Sequence, residues 1–508
     1  MEDTEANVLK MCRAPFEGVG MDIVIICAAA AQQAAFWLQR LNETKGKLLK
    51  AEALVMAVWE DWPNGAGNGL GTLYAYQQAC SKAKAEWGID IAQRLEAGAS
   101  VAIYHTAGKG KRLSPLTFSE NCDKPAIKLP GFIELHNPTH FLTILEAVIK
   151  QTAIYAPAQA GRLSVFWGDQ IFIPSTSCDF SPKHHIEILA KLIAFPEEKE
   201  WKTQNYDKYG LIALEKNGKT YQVDKCSYET IQHMIKEGKI SIEGGVGLSL
   251  GSFSLSTTVL KALLQEFSSE LAQKSAKMDC EPFFWMPGCL DAETYLDIMQ
   301  TKNITLDVAV QHYARMQHFF KALENCSQHL GASPIGCVDA GQSSYWWDYG
   351  TIQTYYANVM KLLEKNHEAD IMRTFFNLTA SEPCAQALTI DKQSCLINCQ
   401  IDSGIIENSI LLGVKAHSVH ISHSLVMNSS MPQLTGCNCL VYNVVDEAGL
   451  CMDQQSIRAD ALIPSTGEHV ALHSHLSYNG EKDWNVRLPS NRYSYEELYQ
   501  RIQSLKDE

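Results

Sequence analysis

The chain has 508 residues, with 43 Lys and Arg against 57 Asp and Glu, a formal net charge of −14, and 46% hydrophobic and 20% charged residues. That length exceeds one ordinary core, and the composition excludes a disordered or low-complexity chain. The acidic balance, with no long Lys/Arg run, excludes coating of nucleic acid or an anionic membrane as the main task, but leaves room for a small anion held in a local basic pocket.

The first twenty residues carry Glu2, Asp3, Glu5 and Glu17 and have no basic stretch ahead of an apolar one, so no secretory leader is expected. The apolar run 23–31 is far short of the roughly 18–20 residues that span a bilayer, and no transmembrane helix is expected. A cytoplasmic location is the expectation, with the 16 cysteines as reduced, mostly buried thiols.

Residues 21–27 (MDIVIIC) predict a strand and the Ala/Gln/Leu-rich stretch to Leu41 a helix. Residues 52–59 (EALVMAVW) repeat the strand signal, followed by a glycine-rich turn over 63–71 and a helix from Thr72. A third strand at 100–105 meets a turn at 108–110, with a helix near 141–153 after an irregular loop, and a fourth strand at 163–167 ends in Gly168-Asp169. This alternation predicts an α/β domain with a mainly parallel sheet and a site at the strand C-termini. Residues 209–223 predict a hairpin turning at Asn217-Gly218, and 230–316 mixes helices with a strand at 247–255. After a helix at 356–363, residues 396–427 are rich in Ile, Val, Ser, Asn and His, with short apolar pairs about every six residues, which predicts a short parallel β-helix. Residues 484–505 start irregular and end in an amphipathic helix.

Two glycine-rich turns bear on phosphate binding. The first, Gly65 to Gly71, fits GxGxxG in no register, which disfavours a dinucleotide site; the second, His105 to Arg112, has Arg112 where a Walker A loop needs Ser or Thr. What remains is AGKGKRLSPLT over 107–117, with Lys124 following in Asp123-Lys-Pro-Ala126. Glycines let backbone N–H groups approach phosphate oxygens, while Lys109, Lys111, Arg112 and Lys124 bring positive charge to one loop, a polyphosphate cradle by construction.

This string resembles the signature of the sugar-1-phosphate nucleotidyltransferases, the nucleotide-sugar pyrophosphorylases. Phe166-Trp-Gly168-Asp169 is similar to the family's metal-binding strand end, and Tyr209-Gly210 through Asp224-Lys225 to its YG…(V/I)EKP element, with Cys226 where that element has Pro. Gly247 to Phe253 loosely matches its sugar-side strand, and Tyr345 to Thr351 resembles its YWxDxGT motif. The segment after residue 390 resembles the left-handed parallel β-helix that many members carry. Gly71-Thr72 precedes the cradle here, whereas most members begin with the cradle. That order implies a circularly permuted, Rossmann-like (GT-A-type) sheet and resembles the fucose-1-phosphate guanylyltransferases.

The resemblance implies a catalytic domain over 1–365, with a sugar-side and helical part at 228–330, a β-helix over 366–460 and a C-terminal segment over 461–508. It implies formation of an NDP-sugar and pyrophosphate from an NTP and a sugar 1-phosphate by in-line attack on the α-phosphorus. Arg112 and Lys124 would be the catalytic cations; Gly71, Thr72, Ala107, Gly108, Lys109 and Gly110 would bind the NTP. Lys225, Gly210 and Gly251 would hold the sugar phosphate, and Asp169 and Asp348 would hold Mg²⁺. GTP with fucose 1-phosphate follows from the domain order alone, and other bases and hexose 1-phosphates stay open. A non-catalytic regulatory or assembly subunit binding a nucleotide sugar is the alternative. No nucleic acid or membrane partner is expected, and the β-helix offers a surface for a homo-oligomer.

Three other clusters carry less. His417, His420 and His423 point to different faces of a strand and lack further ligands for zinc. Cys437-Asn-Cys439 reads as buried thiols, and Phe283 to Met286 as core or a sugar-facing wall.

Overall fold

The structure is a computed structural model that describes residues 2–134, 140–216, 219–326, 333–378 and 387–503. It is mixed α/β with mainly parallel sheets, and the chain divides into two compact units. The first comprises residues 1–107, 150–167 and 173–345, and the second 108–149, 168–172 and 346–508. The stretch expected as one domain over 1–365 is therefore shared between them, because residues 108–149, 168–172 and 346–365 belong with the C-terminal part.

The first unit is built on a nine-stranded sheet. Its parallel half consists of β1 (Ile23–Ala28), β2 (Leu54–Trp59), β3 (Val101–His105) and β4 (Arg162–Trp167), in spatial order β2-β1-β3-β4. All six residues of β1 are buried, which is why this strand reads as an unbroken apolar run rather than an alternating one. The other half contains β5 (Ile186–Ile193), β6 (Leu211–Leu214), β7 (Thr220–Val223), β8 (Gly245–Ser256) and β9 (Ile335–Asp339). Here β8 runs antiparallel to β4, β5 and β6, β7 is antiparallel to β6, and β9 is parallel to β5. The predicted hairpin is the β6–β7 pair, and its turn residues 217 and 218 lie outside the described residues.

The helix after β2 begins at Gly67, not at Thr72. Its first turn is held from far along the chain: Gly69 N donates to Met278 O (2.9 Å), Asn68 N to Asp279 Oδ1 (2.9 Å), and Asn68 Oδ1 accepts from Cys280 N (2.6 Å). A Cβ on Gly67 would lie 2.6 Å from Met278 O, so the glycines that read as a turn admit a neighbouring backbone instead. Near 141–153, likewise, a short strand His140–Thr143 precedes the helix Ile144–Thr152.

The second unit contains a stack of parallel strands in two sheets of five and six. Strands Gln400–Glu407 and Lys415–Ser422 alternate with Ile410–Leu412 and Leu425–Met427, and each pairs with its equivalent 15 residues on, as in Ser424 N donating to Ser409 Oγ. The structural repeat is thus 15 residues, and the apolar pairs mark strands of two lengths within it. Its clearest trace is at the corners, where the backbone is left-handed: Asn398, Gly413, Asn428 and Asn443 at one, Asn408, His423 and Asn438 at another. Glycine and asparagine adopt positive φ most readily, so the coil geometry accounts for the Asn-rich composition. Ile406, Leu411, Val419, Val426, Leu434 and Val441 fill the interior. The stack ends in the antiparallel pair Ser456–Ile463 and Glu468–His475, followed by the helix Tyr495–Gln503.

Cysteines among the described residues are free, six of them fully buried, while Cys437 and Cys451 are exposed. The expected burial therefore holds for Cys439 and not for Cys437. No helix among the described residues is long and apolar enough to cross a membrane.

Within the second unit, Glu120 accepts hydrogen bonds from Lys128 Nζ (2.5 Å), Tyr442 OH (2.6 Å) and Asn443 Nδ2 (2.8 Å), joining the loop after the cradle to the coil stack. Removing this carboxylate strands three buried or half-buried donors. Glu120→Ala is expected to cost about 2–4 kcal/mol of stability, measured by urea unfolding.

Candidate functional site

The second unit begins at Gly108, and the loop that follows has left-handed backbone at Gly110 (φ +59°). A Cβ on Gly110 would lie 2.8 Å from Thr117 Cγ2 and 2.9 Å from Lys124 Cβ, so glycine is needed both for the turn and for Lys124 to pack beneath it. Lys109, Gly110, Lys111, Arg112, Lys124 and Gly350 line a pocket of about 320 Å³, and Glu481 completes its lining.

Two carboxylates meet these cations. Asp169 follows Gly168 and precedes the strand Gln170–Ile173, which pairs with Tyr345–Asp348, and Tyr349 N donates to Asp169 O (3.0 Å). The short ribbon therefore brings two loops nearly 180 residues apart in sequence to one place. The Lys124 ammonium pairs with Asp169. Asp348 Oδ1 accepts from Gly350 N (2.6 Å), and its main-chain O accepts from Asn358 Nδ2 (2.7 Å). A Cβ on Gly350 would lie 2.9 Å from Asp348 Oδ1, 3.5 Å from Asp169 Oδ2 and 3.7 Å from Arg112 Nη2. Three charged groups thus converge where Gly350 has only hydrogen. Burial, and then the charge of Asp169, raise the Asp348 pKa, while the Gly350 N–H, Lys124 and Arg112 oppose the rise. Neither aspartate caps a helix; that role falls to Thr351, whose hydroxyl accepts from Thr354 N (3.1 Å).

In the first unit the remaining expected residues form a separate chain of contacts at the C-terminal ends of β2, β3 and β4. Gly71 leaves room for Glu60, whose Oε2 lies 3.0 Å from the position of a Cβ there and whose Oε1 accepts from Ala66 N (2.9 Å). Thr72 is 2% exposed, and its hydroxyl donates to Asn68 O (2.7 Å) and contacts His105 Nε2 (2.8 Å). Burial lowers the His105 pKa to about 4, so the ring is neutral, with Nε2 against the Thr72 oxygen. His105 stacks on Trp167 at 5.3 Å, and a Cβ on Gly251 would overlap that indole. Gly251 N donates to Ser249 Oγ (3.2 Å), and Ser249 N to Gly210 O (2.8 Å). Thr72 and Gly251 are therefore wall, with their polar or steric capacity used inside the unit. Ala107 is exposed at the end of this stretch.

Lys225 is exposed, with left-handed backbone (φ +43°), just beyond β7. Beside it, Asp224 accepts from Lys302 Nζ (2.7 Å), and Glu281 is raised to about pH 7, first by burial and then by the charge of Asp224. Phe284, Trp285 and Met286 are buried in the main core. In the second unit, His417 pairs with Asp402 (2.8 Å) at the surface. No group of three or more His, Cys, Asp or Glu able to hold a metal occurs among the described residues.

No model of a known protein family matches the chain, and no curated protein does.

Sequence reasoning missed Glu60, His105, Glu281 and Glu481. The first two had a signal, since each is a polar residue at the end of an apolar parallel strand, where sites of α/β sheets gather. Glu281, in the short helical turn Cys280–Trp285, and Glu481, in a turn, had none, being single acids with no motif around them.

Glu281 titrates near 7 in the fold against an ordinary 4.5, so the folded state holds the extra proton between these values. Its contribution to stability is intact below about pH 4.5 and declines as pH rises to about 7. Glu281→Gln is expected to raise Tm by roughly 2–4 °C at pH 8 and to leave it unchanged at pH 4.5, read by scanning calorimetry.

Proposed function

We propose that the protein is a sugar-1-phosphate nucleotidyltransferase, joining a nucleoside triphosphate to a sugar 1-phosphate with release of pyrophosphate. The observation that carries this reading is the convergence of Arg112, Lys124, Asp169 and Asp348 beside Gly350, on a pocket floored by a glycine turn. The resemblance in the cradle and in the residues around Asp348 supplies the reaction class. Strand β3, paired between β1 and β4 rather than at an edge, supports a permuted Rossmann-like order, and the 15-residue coil supports a parallel β-helix.

Both reactants are anions, so the chain's task is to neutralise charge and hold them in line, with no covalent nucleophile. Arg112 presents a planar fork suited to two phosphate oxygens, and it has no carboxylate partner among the described hydrogen bonds and ion pairs. By the resemblance, backbone N–H groups of the Gly108–Gly110 turn would bind the same anion. The Lys124 ammonium, now on Asp169, is free to follow the α-phosphate as negative charge builds there. Asp169 and Asp348 are an all-oxygen donor pair of the kind Mg²⁺ accepts alongside phosphate oxygens and water, and a divalent ion bound there would neutralise charge on the reacting phosphates. Lys225 is assigned to the sugar phosphate by the resemblance alone.

The direct test is pyrophosphate release, with Mg²⁺, from four nucleoside triphosphates against fucose, mannose, glucose and N-acetylglucosamine 1-phosphates. One active pair is the expected result. An empty matrix accompanied by thermal stabilisation from a nucleotide sugar would point to the regulatory subunit instead.

In the active pair, Arg112→Ala and Lys124→Ala are each expected to lower kcat/KM by about 10²–10³-fold, Lys124→Ala mainly through kcat. Lys225→Ala should act mainly through KM for the sugar phosphate. Unchanged kcat/KM in all three variants would remove the scheme.

A further inference from the structure

The cradle has a wall that comes from the far end of the chain. Within the second unit, Lys109 Nζ lies 4.9 Å from the centre of the Tyr499 ring, and Lys111 Nζ lies 4.8 Å from that of Trp484. Both distances are those of cation–π contacts. A Cβ on Gly480 would overlap the Lys111 carbonyl oxygen, so the segment lies directly on the cradle backbone. Next to it, the carboxylate-bearing Glu481 lines the cationic pocket.

The segment is tied down at several points. Asn479 Oδ1 accepts from Glu481 N (2.9 Å) and Lys482 N (3.3 Å), which fixes the turn that carries Glu481. Gln353 Nε2 donates to Leu476 O and Tyr478 O (2.8 Å each), tying the segment to the helix that follows Gly350. Trp484 is 4% exposed and stacks with Phe118 at 5.9 Å, in a core that includes Tyr495, Leu498 and Leu472.

We propose that Glu481, Trp484 and Tyr499 form the outer wall of the anion cradle and set its affinity for polyphosphate. The two rings hold the Lys109 and Lys111 ammonium groups at the pocket, where alone each would swing on a flexible stem. Glu481 opposes the outermost negative charge, so an anion that extends past Lys111 meets repulsion. The cradle thereby takes a polyphosphate firmly at its inner end, near Arg112 and Lys124, and weakly at its outer end, which suits a site that must release pyrophosphate. This inference rests on the cradle being a polyphosphate site.

The test is calorimetric titration of the full chain with inorganic tripolyphosphate, without added metal. Glu481→Gln removes one exposed charge and is expected to tighten binding by about three- to tenfold. Tyr499→Leu removes the ring beneath Lys109 and is expected to weaken binding by about three- to fivefold. Binding by the wild-type chain that Glu481→Gln leaves equal or weakens overturns the wall while leaving the cradle, whatever Tyr499→Leu does to folding. Absence of binding by the wild-type chain overturns the cradle reading, and the wall with it.

Discussion

Asp169 and Asp348 bring two negative charges to one small space, where burial and then the charge of Asp169 disfavour the ionised form of Asp348. Their proximity is tolerated because Lys124 pairs with one and Arg112 approaches the point where both converge. Removing either cation would leave the carboxylates repelling each other, and the ribbon Gln170–Ile173 with Tyr345–Asp348 would bear the strain. The glycines of this region follow from the same constraint. A side chain on Gly350 would crowd Asp348 Oδ1, and one on Gly110 would displace Lys124 from beneath the turn. The cluster is neutralised from within, Lys124 by direct pairing with Asp169 and Arg112 by its nearness to the two carboxylates.

Around this cluster the second unit is a rigid support. Coils that repeat every 15 residues stack hydrogen-bonding groups and interior side chains in register, as the line of half-buried Ser394 and buried Ser409, Ser424 and Cys439 illustrates. Glu120 links that stack to the loop after the cradle. A site on such a base keeps its geometry without depending on a mobile loop.

Strands β1 to β4 were legible within two residues, because burial on both faces leaves a continuous β-branched run that few other environments produce. The start of the helix at Gly67 was not, since its partner Met278 lies about 210 residues away and local glycine content argues for a turn. The recurring apolar pairs were legible, but the length of one coil was not, because it is carried by the corner residues at 398, 413, 428 and 443. Arg112, Lys124, Asp169 and Asp348 could be singled out by motif. Trp484, Tyr499 and Glu481 could not, because an aromatic or acidic residue bears no local mark of the lysine it will meet.

The second unit draws on three separated stretches, residues 108–149, 168–172 and 346–508. During synthesis the basic loop emerges early, at a time when Asp348, Gly350 and the rings of Trp484 and Tyr499 have not been made. The first unit can assemble its sheet as soon as residue 339 closes β9, while Lys109, Lys111 and Arg112 still wait for the rest of the second unit. Lys124 can meet Asp169 early, whereas the Asp348 carboxylate and the rings of Trp484 and Tyr499 reach the basic loop only when the last third of the sequence arrives.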